Sequence, residues 1–214
     1  MNSNRQWPQP PSDNPVQYLT ADAQRALRAA TRTERDGRVD DEASFSRMAV
    51  LLYFTALRSL ANVLYEWSRA PDHEWRQLSV HHRWTQAVQL CLPHLEQPGE
   101  ALHFPHDHIG DDLPLLSRFL ELRDAVNDMV HDDVPCGVIP TDPTEAPDAQ
   151  VGASPDVYPR TEFPRRQSEY RLGHAESAAR IYGDMVARLD LCMRGKAREL
   201  YGGNAAAAGF VKEP

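Results

Sequence analysis

Three polar side chains at four-residue intervals, Arg123, Asn127 and His131, are the residues of this chain whose types and spacing could do chemistry. Four residues advance an α-helix by about 400°, so a helix would hold all three in one polar row along one flank. A guanidinium can hold a phosphate group, and an imidazole can take up or release a proton near neutral pH. The row therefore predicts a site for anion binding and proton transfer, provided that a groove or a second subunit covers it.

The helix that would position this row has recognisable ends. Asp111 or Asp112 is a suitable N-cap, and Pro114 is tolerated in the first turn, where its missing amide proton costs nothing. Pro135 ends the helix four residues after His131. The predicted core stripe consists of Leu115, Phe119, Leu122, Val126 and Met129. The side chains expected to face solvent are those of Glu121, Asp124 and Asp128.

Apolar residues at three- and four-residue intervals predict further helices on both sides of this one. The most apolar, from about Ala43 to Ser68, must be central. A second covers Ser79 to Leu95, and the last runs from about Gly173 to Leu200. A weakly apolar segment from Leu19 to Glu34 predicts a peripheral helix that ends at the turn near Gly37. The predicted buried face of the last helix carries Ala178, Tyr182, Met185, Leu189 and Cys192.

These elements predict an all-α fold, an antiparallel bundle of four to five helices in one domain. The expected divisions are a disordered or surface-laid segment 1–17, a domain 18–200 with its core in 43–134 and 168–200, and a flexible tail 201–214. The connection 135–167 holds seven prolines and shows no helical or alternating period. A loop of this length is either a disordered excursion or a cover over a functional site.

Composition and charge exclude several classes of protein. The chain has 214 residues and a net charge of -8, so it cannot hold nucleic acid by bulk electrostatics, and any RNA or nucleotide contact must be local. Arg58 interrupts the richest apolar stretch, and the polar start of the chain lacks the apolar segment of a secretion signal. We therefore expect a cytoplasmic protein without a membrane partner.

A second cluster of chemically capable residues precedes the motif helix. His103, His106 and His108 lie close to several aspartates and could ligate zinc, nickel or manganese. Their spacing fits no standard motif, and Pro105 limits how far the first two can converge, so solvated side chains are the favoured interpretation. The three cysteines share neither metal-type spacing nor a disulfide framework: Cys91, Cys136 and Cys192. We predict no metal and no cofactor.

The basic residues permit two interpretations. They concentrate between Arg25 and Arg38 and again before the last helix, at Arg160, Arg165, Arg166 and Arg171. Nucleic-acid contact is one interpretation, but on an acidic chain pairing with its own Asp and Glu residues is favoured. In the second helix, His81 and His82 are interpreted as helix edge and Trp84 as core.

The long apolar helix around residues 51–66, a helix ending Leu122-Arg-x-x-x-Asn-x-x-x-His131 and an Ala-rich last helix together resemble the HEPN superfamily. These are the higher eukaryote and prokaryote nucleotide-binding domains. The resemblance covers about Ser44 to Met193. It implies a small helical bundle, frequent dimerisation through the motif helix and, in many members, cleavage of RNA without a metal ion.

The resemblance also implies roles for the polar row. Catalytic members carry an Arg followed by four to six residues and then a His, most often with Asn directly after the Arg. Asn127 and His131 match the Asn-x-x-x-His portion, whereas Val126 stands where the Arg would precede the Asn, and Arg123 lies two helical turns before His131. By this resemblance His131 would be the general acid or base, Arg123 the phosphate clamp and Asn127 the residue that orients either.

The expected function is therefore a metal-independent endoribonuclease of toxin or defence type, acting on RNA as a homodimer, with an antitoxin or another protein as a further partner. A non-catalytic HEPN-like module that binds a protein or a nucleotide is the alternative. Metal-dependent chemistry at the histidine cluster is a third hypothesis.

Overall fold

The computed structural model describes residues 14–68, 78–86, 113–130 and 156–193, and within these ranges the protein is all-α, as predicted. The helices are α1 (Pro15–Arg35), α2 (Val39–Ser68), α3 (residues 80–86), α4 (Leu113–Val130) and α5 (Leu172–Cys192), with a short 3-10 helix at Gln167–Glu169. The described residues form no β-strand. Val157 and Pro164 make one isolated antiparallel bridge.

α1 begins four residues earlier than its apolar pattern predicts. The side chain of Asn14 accepts a hydrogen bond from the Val16 amide at 3.0 Å, and Pro15 occupies the first turn, which together form a helix start. At the other end Gly37 adopts a φ of +68°, and the Arg38 amide donates to the Thr33 carbonyl at 2.9 Å. The left-handed glycine terminates the helix, as the sequence predicts.

The expectation that α1 is peripheral is wrong in one respect, because one face of it is fully buried. Ala23, Ala26 and Ala30 are buried there, and their small side chains allow α1 to pack closely along α2. Thr20 on the same face makes a buried hydroxyl–hydroxyl hydrogen bond of 2.9 Å with Tyr182 on α5. α1 is therefore part of the core despite its low hydrophobic content.

α2 is the central helix, as predicted, and packs against α1, α4 and α5. Its apolar sector is largely buried, although Met48, predicted to belong to that sector, is exposed. Residues Val39–Glu66 are long and apolar enough to cross a membrane, but 61% of the most apolar window is buried inside the protein. The central helix of a soluble bundle has the same properties, so this feature is weak evidence for a membrane span.

α5 presents the predicted face to the core. All five expected residues are buried there: Ala178, Tyr182, Met185, Leu189 and Cys192. At its start, the buried carboxylate of Glu42 on α2 accepts a hydrogen bond from the Leu172 amide at 2.9 Å. An acceptor from a neighbouring helix thus satisfies a backbone donor of the first turn.

The segment before α5 is more ordered than a loop without a period suggests. Residues 156–171 pack on the bundle through Tyr158, Thr161, Phe163 and Tyr170, all of them buried. The Phe163 and Tyr170 rings stack with centroids 6.4 Å apart. Residues 156–166 are therefore a loop of turns and bends that packs on the bundle, while 135–155 lies outside the described residues.

α4 carries its predicted core stripe inward, with Leu115, Phe119, Leu122 and Val126 buried and Met129 partly buried against the core. The prediction that its acidic residues face solvent is wrong for Glu121. This side chain is buried because its Oε2 accepts hydrogen bonds from the Arg160 and Thr161 amides at 3.0 and 2.8 Å. Asp128 is half-buried and accepts a hydrogen bond of 2.6 Å from the Tyr158 hydroxyl.

Candidate functional site

Arg123 and Asn127 lie one turn apart on α4, and the side chains of both are reached by solvent. The side chain of Arg123 is 32% exposed, and Asn127 is exposed. The regular helix from Leu113 to Val130 places them on one flank, as the four-residue spacing predicts. His131, the third member of the row, lies outside the described residues.

The guanidinium of Arg123 is engaged by its neighbour along the chain. Its Nε and Nη2 atoms lie 2.8 and 2.7 Å from the same oxygen, Oδ1 of Asp124. A guanidinium has five N–H groups arranged in a planar fork, so these two contacts occupy only one of its edges. The ion pair fixes the orientation of Arg123, and the Nη1/Nη2 edge retains the geometry for binding a phosphate.

α3 lies beside this flank of α4. The Trp84 ring is fully buried and meets the Phe119 ring edge-on, with centroids 6.2 Å apart. Arg83 donates a hydrogen bond of 3.0 Å to the Asn62 side chain on α2, so α3 is tied to the bundle by a polar contact as well. The prediction that Trp84 is a core residue is confirmed.

The same packing brings His81 into the electrostatic neighbourhood of Arg123. The pKa of His81 is lowered, first by burial and then by the positive charges of His82 and Arg123. His81 lies one turn before Trp84, and Arg123 lies one turn after Phe119. Because Trp84 contacts Phe119, His81 and Arg123 each lie one helical turn from the same contact between α3 and α4.

His81 lies at a helix edge, as the sequence predicts, and it has a lowered pKa. It is half-buried, and its ring stacks on His82 with centroids 5.2 Å apart. The Nδ1 of His82 lies 2.9 Å from the Ser79 hydroxyl at the start of α3. A neutral imidazole can accept a proton, and a guanidinium can bind an anion. Sequence reasoning missed this electrostatic influence of Arg123 on His81, because it depends on the packing of α3 against α4.

Two of the basic residues before α5 pair with acidic residues of the chain, as the favoured interpretation expects, and a third bonds to backbone carbonyls. Arg165 lies 3.2 Å from Asp128 and over the Tyr158 ring, 4.4 Å from its centroid. Arg166 lies 3.5 Å from Glu169, while Arg171 donates to the backbone carbonyls of Ser168 and Tyr170. The earlier basic stretch does the same through the ion pairs Arg25–Asp22 and Arg38–Asp41.

Candidate metal ligands do not converge within the part of the chain that the structure describes. No group of three or more His, Cys, Asp or Glu side chains there could hold a metal ion. The cluster of His103, His106 and His108 lies outside the described residues, as do Cys91 and Cys136. Cys192 is buried, in keeping with its interpretation as a small core residue.

Comparisons with known proteins identify no relative: no protein-family model matches the chain, and neither the curated proteins nor the solved structures contain a significant match.

Proposed function

We propose that this chain is a HEPN-like helical bundle that cleaves RNA without a metal ion, acting in the cytoplasm as a homodimer of toxin or defence type. The observation that carries the proposal is the position of Arg123, half-buried and oriented, with Asn127 one turn further along α4. The charge of Arg123 also helps to lower the pKa of His81 on α3. A cation can stabilise the charge that develops on a phosphodiester during cleavage, an imidazole can transfer the proton, and an amide can orient either group.

The reaction can be written with the groups of this site. A base removes the proton of the ribose 2′-hydroxyl, whose oxygen attacks the adjacent phosphorus. The bond from phosphorus to the 5′-oxygen breaks, and an acid protonates that oxygen, which leaves a 2′,3′-cyclic phosphate and a 5′-hydroxyl. Arg123 stabilises the charge on the phosphoryl oxygens, and Asn127 orients the phosphate or the acid.

The two proton transfers need two groups. His131 is the proposed acid or base by its place in the motif. His81 is suited to the base, because its lowered pKa keeps the imidazole neutral at pH 7, and a neutral ring can accept the hydroxyl proton. With His81 as base, His131 serves as acid.

Dimerisation would close the site. Arg123 and Asn127 remain accessible on their flank, and Val130, about one turn beyond Asn127, is 64% exposed. A second subunit on this flank would cover the apolar residue and exclude water from the polar row, where a lower dielectric strengthens the pull of a guanidinium on phosphate. A protein antitoxin would find the same flank available.

Incubation of purified protein with RNA in the presence of a chelator tests the proposal. We expect wild-type cleavage, and a loss of about 100-fold or more in His131→Ala and Arg123→Ala, the usual scale for removing an acid–base or charge-stabilising group. Arg25→Ala is the matched control, because Arg25 is also a helical arginine paired with an aspartate of its own helix. Sedimentation at the assay concentration checks the dimer.

The second candidate is a non-catalytic HEPN-like binding module for a protein or a nucleotide. The ion pair between Arg123 and Asp124 favours it, because a carboxylate 2.7 Å from the guanidinium competes with a phosphate for the same positive charge. The replacement of the expected arginine by Val126 points the same way. Wild-type protein that binds but never cleaves RNA would support this module, and cleavage abolished by the chelator would instead support a metal-dependent site.

A further inference from the structure

A groove opens at the other side of α4, near the first turns of the helix. Pro114, Ser117, Arg118 and Arg160 line it, and its volume is about 340 Å³. This is within the range of small-ligand sites, which occupy roughly 300–1,000 Å³. Arg118 lies five residues before Arg123, which corresponds to about 140° around a helix. The groove is therefore separate from the polar row.

Both arginines of the groove form ion pairs with carboxylates of other elements, Arg118 with Asp184 and Arg160 with Glu121. The Arg118 Nη2 lies 3.1 Å from the Asp184 carboxylate on α5. Arg160 belongs to a turn whose backbone is fixed, since its amide donates to the buried Glu121 carboxylate at 3.0 Å. The guanidinium of Arg160 lies 3.9 Å from Glu121, beyond hydrogen-bond distance. A fixed backbone thus carries an exposed guanidinium to the rim of the groove.

We propose that this groove binds a phosphate group, as carried by a nucleotide or a short RNA. Two guanidiniums can each donate paired hydrogen bonds to phosphoryl oxygens, and the Ser117 hydroxyl supplies a further donor. On a chain with a net charge of -8, binding must depend on these local donors. The site goes beyond the proposed RNA cleavage and does not require it.

Calorimetric titration of the full-length protein with inorganic pyrophosphate, AMP and a short single-stranded RNA tests this site. Arg118→Gln and Arg160→Gln remove the charge and keep an extended polar side chain. Each is expected to weaken binding about tenfold, because charge-assisted hydrogen bonds are roughly twice as strong as neutral ones. Both side chains are exposed to solvent, so the variants should keep the melting temperature of the wild type.

Arg25→Gln is the matched control, an exposed arginine of α1 in an ion pair with Asp22. It should leave all affinities unchanged. Equal affinity for pyrophosphate and AMP would identify the phosphate as the recognised group, whereas tighter AMP or RNA binding would identify the molecule that carries it. The proposal is overturned if none of the three probes binds the wild type at about 10 mM, far weaker than a specific site, or if Arg25→Gln weakens binding as much as the groove variants.

Discussion

The buried Glu121 carboxylate on α4 accepts hydrogen bonds from the backbone amide and the hydroxyl of Thr161, at 2.8 and 2.9 Å. One acidic side chain thereby satisfies several donors of a turn that has no regular secondary structure. Buried donors need partners, and Glu121 supplies them from 40 residues earlier in the chain. The packing of residues 156–171 on the bundle depends on this contact.

Replacement of Glu121 by alanine should therefore destabilise the fold. Buried amide and hydroxyl donors would lose their acceptor, and we expect the free energy of unfolding to fall by about 2–4 kcal/mol. Glu176→Ala on the exposed side of α5 is the control and should change it by less than about 0.5 kcal/mol. Urea denaturation followed by circular dichroism measures both. Equal stability of the two variants would contradict the role given to Glu121.

Two glycines should respond to alanine in opposite directions. Gly37 has a φ of +68°, where an L side chain is strained, so Gly37→Ala should lower the free energy of unfolding by about 1–2 kcal/mol. Gly183 lies within α5, and an added Cβ would meet nothing within 4 Å. Gly183→Ala should therefore raise it by about 0.5–1 kcal/mol. Thermal denaturation of both variants beside the wild type tests the pair, and a shared sign would contradict the assignment.

The pH dependence of stability should reflect His174. Its Nδ1 accepts a hydrogen bond from the Arg171 amide at 2.9 Å, and a protonated imidazole has no acceptor nitrogen. The pKa of His174 is lowered, first by burial and then by the charge of Arg171. The unfolded chain therefore binds the proton more readily than the folded one. Its contribution to stability is complete above pH 6.5, the ordinary pKa, and is lost as the pH falls through the lower folded pKa.

Denaturation midpoints measured from pH 7.5 to 5 check this sign. The wild type should lose stability toward pH 5, and His174→Gln should flatten part of that slope. His81 contributes to this slope in the same direction because its pKa is also lowered. His81→Gln should therefore remove a separate part of the dependence of stability on pH. A slope that stays unchanged in both variants would mean that neither ring titrates differently in the folded and unfolded states.

The spacing of apolar residues predicted those helices that bury one continuous apolar face. The five residues expected on the buried face of α5 are buried, because a helix that repeats every 3.6 residues must turn that stripe toward a core. Apolar spacing could not predict that Thr161 is the partner of Glu121, because Thr161 belongs to a segment with no helical or alternating pattern. Three aromatic residues in that segment, Tyr158, Phe163 and Tyr170, were the available signal, since large apolar rings are rarely left in water.

The polar row illustrates the same limit. Spacing alone places Arg123 and Asn127 on one flank, because helix geometry is local. The neighbourhood of His81 and Arg123 depends on how α3 docks on α4 through Trp84 and Phe119, and no local pattern encodes that docking. The ion pair between Arg123 and Asp124 depends on the rotamers of both side chains, and the sequence does not determine these rotamers.

His81 gives the proposed cleavage reaction its sharpest test. As the general base it must be neutral to act, so wild-type cleavage should rise with pH along an acid limb whose midpoint lies below pH 6.5, because the pKa of His81 is lowered from that value. His81→Ala should reduce kcat by about 100-fold or more and abolish the acid limb. A purely structural role would reduce the amount of folded protein without changing the shape of the pH profile.

His82→Ala is the matched control for that experiment. The Nδ1 of His82 is engaged by Ser79, so removal of this ring should leave kcat within about threefold, well short of the loss of a general base. Because the positive charge of His82 lowers the pKa of His81, the acid limb should move toward higher pH in this variant. An unmoved limb, or a loss of activity equal to that of His81→Ala, would show that the two rings do not have the separate roles that we assign to them.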